Sequence, residues 1–291
     1  MRASSWLLLG IAALGIAGCG KKSNPIGGQP REFLADRIVS LSPNTSEICS
    51  LISHPRMLVG RTDSCNYPES LSNLPSVMKG TTPDYEKIKE LKPNLIVFDP
   101  ALFSDEEQAK IKELAPHVLA FDVHSLQDYE KFLWEHSKMT GSETSASKEL
   151  DKIWQKVTEA KGVLPKDALS VAVVIGGGQS EYMVAGQTSF QGSLMKEINL
   201  NLKGPDSDKF DTVNVEQLLQ WNPDIILTTE ESAKAIVADP RLKSMNAVKD
   251  LYVFGTDPGI LLRAGVRIDD LLENFIPMAD RIWTARKGAT N

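Results

Sequence analysis

Few side chains in this sequence stand in spacings that do chemistry. None of the histidines, His54, His117, His124 and His136, belongs to the HExxH pattern that sets two imidazoles on one helix face. No serine sits in a Gly-x-Ser-x-Gly elbow. Gly176-Gly177-Gly178 follows an apolar, β-rich run, as a phosphate loop would. It lacks the third glycine of the dinucleotide fingerprint and the Gly-Lys-Ser/Thr of a P-loop, so it reads as a turn. The acidic runs at 105–107 and 230–231 read as solvated faces. No catalytic residue, resident metal or cofactor is expected, and the chain does not read as an enzyme.

Cys19 is the residue with a definite chemistry. One positive charge, Arg2, precedes an apolar run over residues 6–17, and the run closes Ile16-Ala17-Gly18-Cys19. The run is too short to span a bilayer and reads as a signal-peptide core. Small residues before the cut suit a peptidase cleft, and the thiol accepts a diacylglyceryl group, so the junction resembles a bacterial lipobox. Residues 1–18 are read as the signal peptide and Cys19 as the lipidation site. Each buried methylene contributes about 0.8 kcal/mol, so more than one acyl chain on Cys19 anchors stably. Residues 19–35, with glycines, prolines and lysines, read as a tether. No later stretch is apolar enough for a membrane span. The mature chain is expected outside the cytoplasm, held to a membrane by lipid.

The remaining length suits two modest domains or one large one. Hydrophobic residues make up 42% of the chain, enough for real cores, while a net charge of −6 and a pI near 5.4 argue against nucleic acid. Beyond Cys19, only Cys49 and Cys65 remain. A disulfide between them and two free thiols are both compatible with the sequence.

Short apolar, β-rich runs at 37–41, 57–60, 94–98 and 117–121 alternate with helical spacing at 46–52, 84–91 and 104–114. Pro43 and its polar neighbours mark the first helix start. Such alternation implies a parallel sheet covered on both faces. Residues 126–140 read as a helix. Residues 143–162 then run without a breaker, with Ala146, Leu150, Ile153, Trp154 and Val157 on one stripe. About twenty helical residues span roughly 30 Å, long enough to cross between lobes. Strands resume at 170–175, 224–227 and 251–254, with helical spacing around Leu194 and at 216–219 and 269–278. The expected fold is α/β: a lobe at 36–141, a bridging helix at 142–164 and a second lobe at 165–291. An echo relates the halves. Lys92-Pro93-Asn94-Leu95-Ile96-Val97 matches Trp221-Asn222-Pro223-Asp224-Ile225-Ile226, each between a helix and a buried strand.

The runs RIVSLSPNTSEI, LVGRTDSCNYPES, YEKIKELKPNLIVFD and VNVEQLLQWNPDIIL, in that order and spacing, resemble the substrate-binding proteins of ABC importers for cobalamin, ferric siderophores and haem. The resemblance covers most of the mature chain, from about residue 37 to 283. It implies two Rossmann-like lobes joined by one rigid helix, with a metal chelate held in the cleft between them. It implies a monomer that delivers its cargo to an ABC permease and its ATPase. One glutamate per lobe is expected to meet basic permease residues, and the matching positions are Glu47 and Glu216. For the ligand, the resemblance points to Tyr67, Tyr182, Phe210 and Arg263. Ser64, Gly80 and Asp99 stand where cobalamin binders tend to be aromatic, and Phe103 is a candidate substitute. Corrinoid, siderophore and haem all stay open, with a metal-ion receptor of the same fold as a further alternative, as do two other classes, a lipid-anchored enzyme and a scaffold lipoprotein.

Overall fold

The computed structural model describes residues 34–79, 81–177 and 181–289. The signal peptide, Cys19, nearly all of the tether, Gly80 and Gly178 lie outside the described residues. The first lobe runs β1 (Ile38–Ser40), α1 (Pro43–Ile52), β2 (Leu58–Gly60), β3 (Met78–Lys79), β4 (Thr82–Pro83), α2 (Tyr85–Leu91), β5 (Leu95–Phe98), α3 (Asp105–Lys112), β6 (His117–Ala120) and α4 (Leu126–Thr140). Strands β2-β1-β5-β6 form a parallel sheet in that order. All four residues of β5 are buried, which explains its unbroken apolar sequence, since a parallel sheet is covered on both faces.

Helix α5 (Glu143–Val163) follows at once. Gly141, at φ 70, ends α4 in the left-handed conformation that glycine adopts without strain, and turns the chain back. The buried face of α5 is Ala146, Glu149, Leu150, Ile153, Val157 and Ala160. Trp154 is half-buried, and its indole N–H donates to Glu130 at 3.2 Å.

The second lobe runs β7 (Ser170–Gly176), β8 (Tyr182–Ala185), α6 (Phe190–Glu197), β9 (Asn201–Leu202), β10 (Phe210–Val213), α7 (Val215–Trp221), β11 (Ile225–Thr229), α8 (Glu230–Ala238), α9 (Asn246–Lys249), β12 (Val253–Thr256), α10 (Pro258–Leu261) and α11 (Ile268–Ala289). Its sheet has the order β10-β8-β7-β11-β12, with β9 also on β7. β7, β11 and β12 are parallel, but β8 and β10 add an antiparallel ribbon that the alternation in sequence did not foretell. Gly176 and Gly177, at φ 90 and 127, make the turn that leaves β7.

The echo between halves is a structural repeat. Asp84 caps α2 by accepting from Lys87 N, and Asn214 caps α7 by accepting from Gln217 N. Both helices have seven residues and end on a left-handed residue before proline: Lys92 at φ 48, Asn222 at φ 39. Each then feeds a buried parallel strand, β5 or β11. α11, the last helix, lies against the bridging helix α5. Among the described residues no helix is long and apolar enough to cross a membrane.

Candidate functional site

In an open parallel sheet, ligands collect where strands end at their carboxyl edge. In the first lobe the chain leaves β1 through Leu41 and Pro43, and β2 through Thr62, Asp63 and Ser64. These residues, with Phe103, line a cavity of about 210 Å³. Phe103 therefore does reach this edge, where its ring lies 6.1 Å from that of Phe98. Asp99 is committed locally: it accepts from Ala101 N at 3.0 Å and Asn44 Nδ2 at 3.4 Å, and burial raises its carboxyl.

Beside that cavity the lobes are tied together by charge. Glu47, on α1, is 1% exposed. Arg263 donates to its Oε1 at 2.5 Å, and Arg267 donates to Oε1 at 2.9 Å and Oε2 at 3.0 Å. Both arginines lie between α10 and α11, and the Leu261 carbonyl at the end of α10 accepts from Gln191 of α6. Arg263 also donates to Asn66 Oδ1 at 3.0 Å and to the Ser64 carbonyl at 3.1 Å. Arg267 lies 4.4 Å over the ring of Tyr67 and reaches Asp257 at 3.4 Å. A buried carboxylate needs such partners, because an unpaired one is strongly disfavoured. With Asp257 counted, the two guanidiniums face two carboxylates, and Asp63 adds a further acid to the cavity wall.

This geometry corrects the sequence reading of Glu47. A docking carboxylate must be exposed, and Glu47 is buried between the lobes. Arg263 stands at the lobe junction, with three of its five N–H donors given to Glu47, Asn66 and Ser64. Tyr67, 39% exposed, is brought to the same place. Arg267 and Asn66 were not foreseen, because their partners are remote in sequence.

Tyr182 is also corrected. It is 1% exposed, and its hydroxyl donates to Asp239 Oδ2 at 2.6 Å. Arg241 grips the same carboxylate through Nε at 3.0 Å and Nη2 at 2.6 Å, which holds Asp239 well below the usual carboxylate range. Burial first, and then Asp239, push Tyr182 up to about 12. Tyr182 is thus a core residue with a charged anchor. In the β8–β10 register, Met183 faces Thr212 and Ala185 faces Phe210. Directly paired residues share a face and successive residues alternate, so Met183 and Phe210 lie on the side away from Tyr182. Met183 is 38% exposed and Phe210 half-buried. Strict alternation within YMVA could have singled out Met183 only had the strand's phase been known.

Glu216 is exposed in the first turn of α7. It rims a cavity of about 580 Å³ shared with Glu181, Tyr182, Asn214 and Arg241. Its counterpart in the first lobe is Glu86. Each glutamate lies two residues past the cap of a repeated helix and is exposed, and Glu86 reaches Lys89 at 3.6 Å. Extending the sequence echo a few residues upstream would have found it. Cys49 and Cys65 are both free and buried. Cys65 Sγ lies 2.9 Å from Ser46 Oγ, and Cys49 Sγ 3.5 Å from His136 Nε2. Among the described residues no group of three His, Cys, Asp or Glu could hold a metal ion.

Two α/β lobes meeting at their strand ends, bridged by one helix, define a two-lobe binding protein. Residues 38–259 match the family model for periplasmic binding proteins, and the chain belongs to that family. It is 24% identical to the ABC transporter substrate-binding lipoprotein YvrC of Bacillus subtilis (strain 168), over 95% of this chain and 98% of that one. In fold it is similar to the periplasmic vitamin B12 binding protein BtuF of Vibrio cholerae, with a TM-score of 0.74 and 22% identity over 87% of this chain and 99% of that one. It is also similar to the periplasmic heme-binding protein HutB of Vibrio cholerae, with a TM-score of 0.72 and 18% identity over 84% and 98% of the two chains.

Proposed function

We propose that this protein is the lipid-anchored substrate-binding component of an ABC importer and that its cargo is an anionic metal chelate. The family match supports the binding role, and the name of the YvrC relative supports the importer and the anchor on Cys19. The observation that carries the ligand class is the Arg263–Glu47–Arg267 group. It places two guanidiniums at the lobe junction, beside the Ser64 cavity, and Arg263 keeps two N–H donors beyond its bonds to Glu47, Asn66 and Ser64. Arginine's planar fork suits carboxylate-bearing ligands. Phe103 from the first lobe, and Met183 and Phe210 from the second, supply apolar contact, while Tyr67 offers an exposed phenol. With Ser64 and Asp99 in place of aromatic side chains, a corrinoid has little to stack on, so ferric chelates and haem are the better fit.

Docking is assigned to Glu86 and Glu216, which take the same place in the two lobes and are exposed. Glu47 is left out because it is buried.

The test is a tryptophan-fluorescence titration of the purified protein with haem, cobalamin, ferric citrate and a set of ferric siderophores. Saturable binding of a ferric chelate or haem, lost on Arg263→Ala, is the expected result. Binding of cobalamin alone, or of nothing in the set, contradicts the assignment.

A further inference from the structure

The bridging helix buries a carboxyl. Glu149 lies on the inner face of α5 and is 7% exposed. Its Oε2 is 3.5 Å from Lys152 Nζ, and its Oε1 has no hydrogen-bond partner among the described residues. Tyr129, on the neighbouring helix α4, is fully buried, and its hydroxyl is likewise without a partner there. α11, packed on α5, brings Asp269 and Asp270 in its first turn, with Glu273 following. Asp269 is half-buried and Asp270 exposed.

The charges around Glu149 are unbalanced. Asp269 and Asp270 oppose its ionisation and only Lys152 favours it. Arg267 acts on Asp270 but is engaged with Glu47, and Glu47, with Glu149 and Asp269, also bears on Tyr129. An ionised Glu149 would set three carboxylates beside one lysine. A proton on Glu149 removes one of these charges from a place where an unpaired charge is costly.

We propose that Glu149 is a proton-binding site built into the junction of α4, α5 and α11, and that losing the proton loosens the inter-lobe clasp. The link is covalent and short. Asp269 begins two residues after Arg267, whose guanidinium holds Glu47 of the first lobe. Repulsion that moves the start of α11 off α5 pulls on that contact, and the released proton goes to solvent. The titration falls in a physiological range. Burial, and then Asp269, raise Glu149 from its ordinary 4.5 to about 7. The other buried titratable group on α4 does not interfere. His136 faces Ser53 and Cys49 of the first lobe, and burial pushes it down to about 4, so it stays neutral. Because folding raises Glu149, the stability its proton confers is complete below about 4.5 and gone above about 7.

The experiment compares the full chain with Glu149→Gln, which has the shape of the protonated acid, in thermal unfolding from about pH 4.5 to 8.5. The wild-type midpoint should fall by several degrees relative to the variant as pH rises to about 7, with the gap constant above. Asp269→Asn should move that step to lower pH. Hydrogen-exchange protection of residues 263–272 should drop across the same range in the wild type and not in Glu149→Gln. Parallel unfolding curves, or a step unmoved by Asp269→Asn, overturn the proposal. Should Glu149→Gln fail to fold, carboxyl ¹³C titration of the wild type decides: a Glu149 midpoint near 7 supports the site and one near 4.5 refutes it. None of these readouts depends on the ligand, so they stand or fall apart from the transport reading.

Discussion

Glu47 and Glu216 look alike in sequence and have almost nothing in common in the fold. Each follows a strand and belongs to a motif with the same family resemblance, but Glu47 is the fifth residue of α1 whereas Glu216 lies in the first turn of α7. Glu47 is 1% exposed and held by two guanidiniums whose residues lie 216 and 220 positions further along the chain. Glu216 is exposed in the first turn of α7. A carboxylate at a helix start is favoured by the helix dipole wherever it lies. Its task is set by what the rest of the chain brings to it, and the repeated capped helices make Glu86 the counterpart of Glu216.

The largest difference should appear when each carboxylate is removed. Glu47→Ala takes the buried carboxylate from two half-buried guanidiniums and should cost about 3 kcal/mol in urea unfolding. Glu216→Ala should change stability by no more than about 1 kcal/mol, the dipole contribution of a first-turn acid. Equal losses would erase the distinction. In cells, Glu86→Ala with Glu216→Ala should abolish uptake while leaving ligand affinity and melting temperature near wild type. Uptake retained by the double variant would remove both from docking.

The β8 strand offers the same contrast on a smaller scale. Tyr182→Phe strips a buried hydrogen bond to a charged partner and should cost about 1.5–3 kcal/mol, with ligand affinity unchanged. Met183→Ala, on the opposite face, should cost less stability and weaken binding of the ligand identified by titration. A loss of affinity with Tyr182→Phe and none with Met183→Ala would reverse the strand's assignment.

Much of the architecture was legible before any coordinates. NLIVF and SVAVVI are unbroken apolar runs because parallel strands are covered on both sides. The bridging helix was expected at 143–162 and spans Glu143–Val163, since its apolar stripe and the preceding glycine mark it plainly. The echo around Pro93 and Pro223 pointed to paired lobes. The site was less legible, for two physical reasons. YMVA is apolar at every position, so the alternation that separates core from surface leaves no trace, and a one-residue shift of phase exchanges Tyr182 for Met183. Leu251 and Tyr252 were read into a strand that begins only at Val253, and Leu251 instead adopts a left-handed φ of 59. The Glu47 partners are contacts of the whole fold, and no local pattern in SPNTSE carries them.

The clasp itself is tested most directly by a double-mutant cycle in urea unfolding, using Glu47→Gln, Arg267→Gln and the pair. A buried, charge-assisted contact between lobes should give a coupling of about 1.5–3 kcal/mol, so that the double variant is far less destabilised than the sum of the single ones. Additive losses, with coupling near zero, would show that Glu47 does not hold the lobes together.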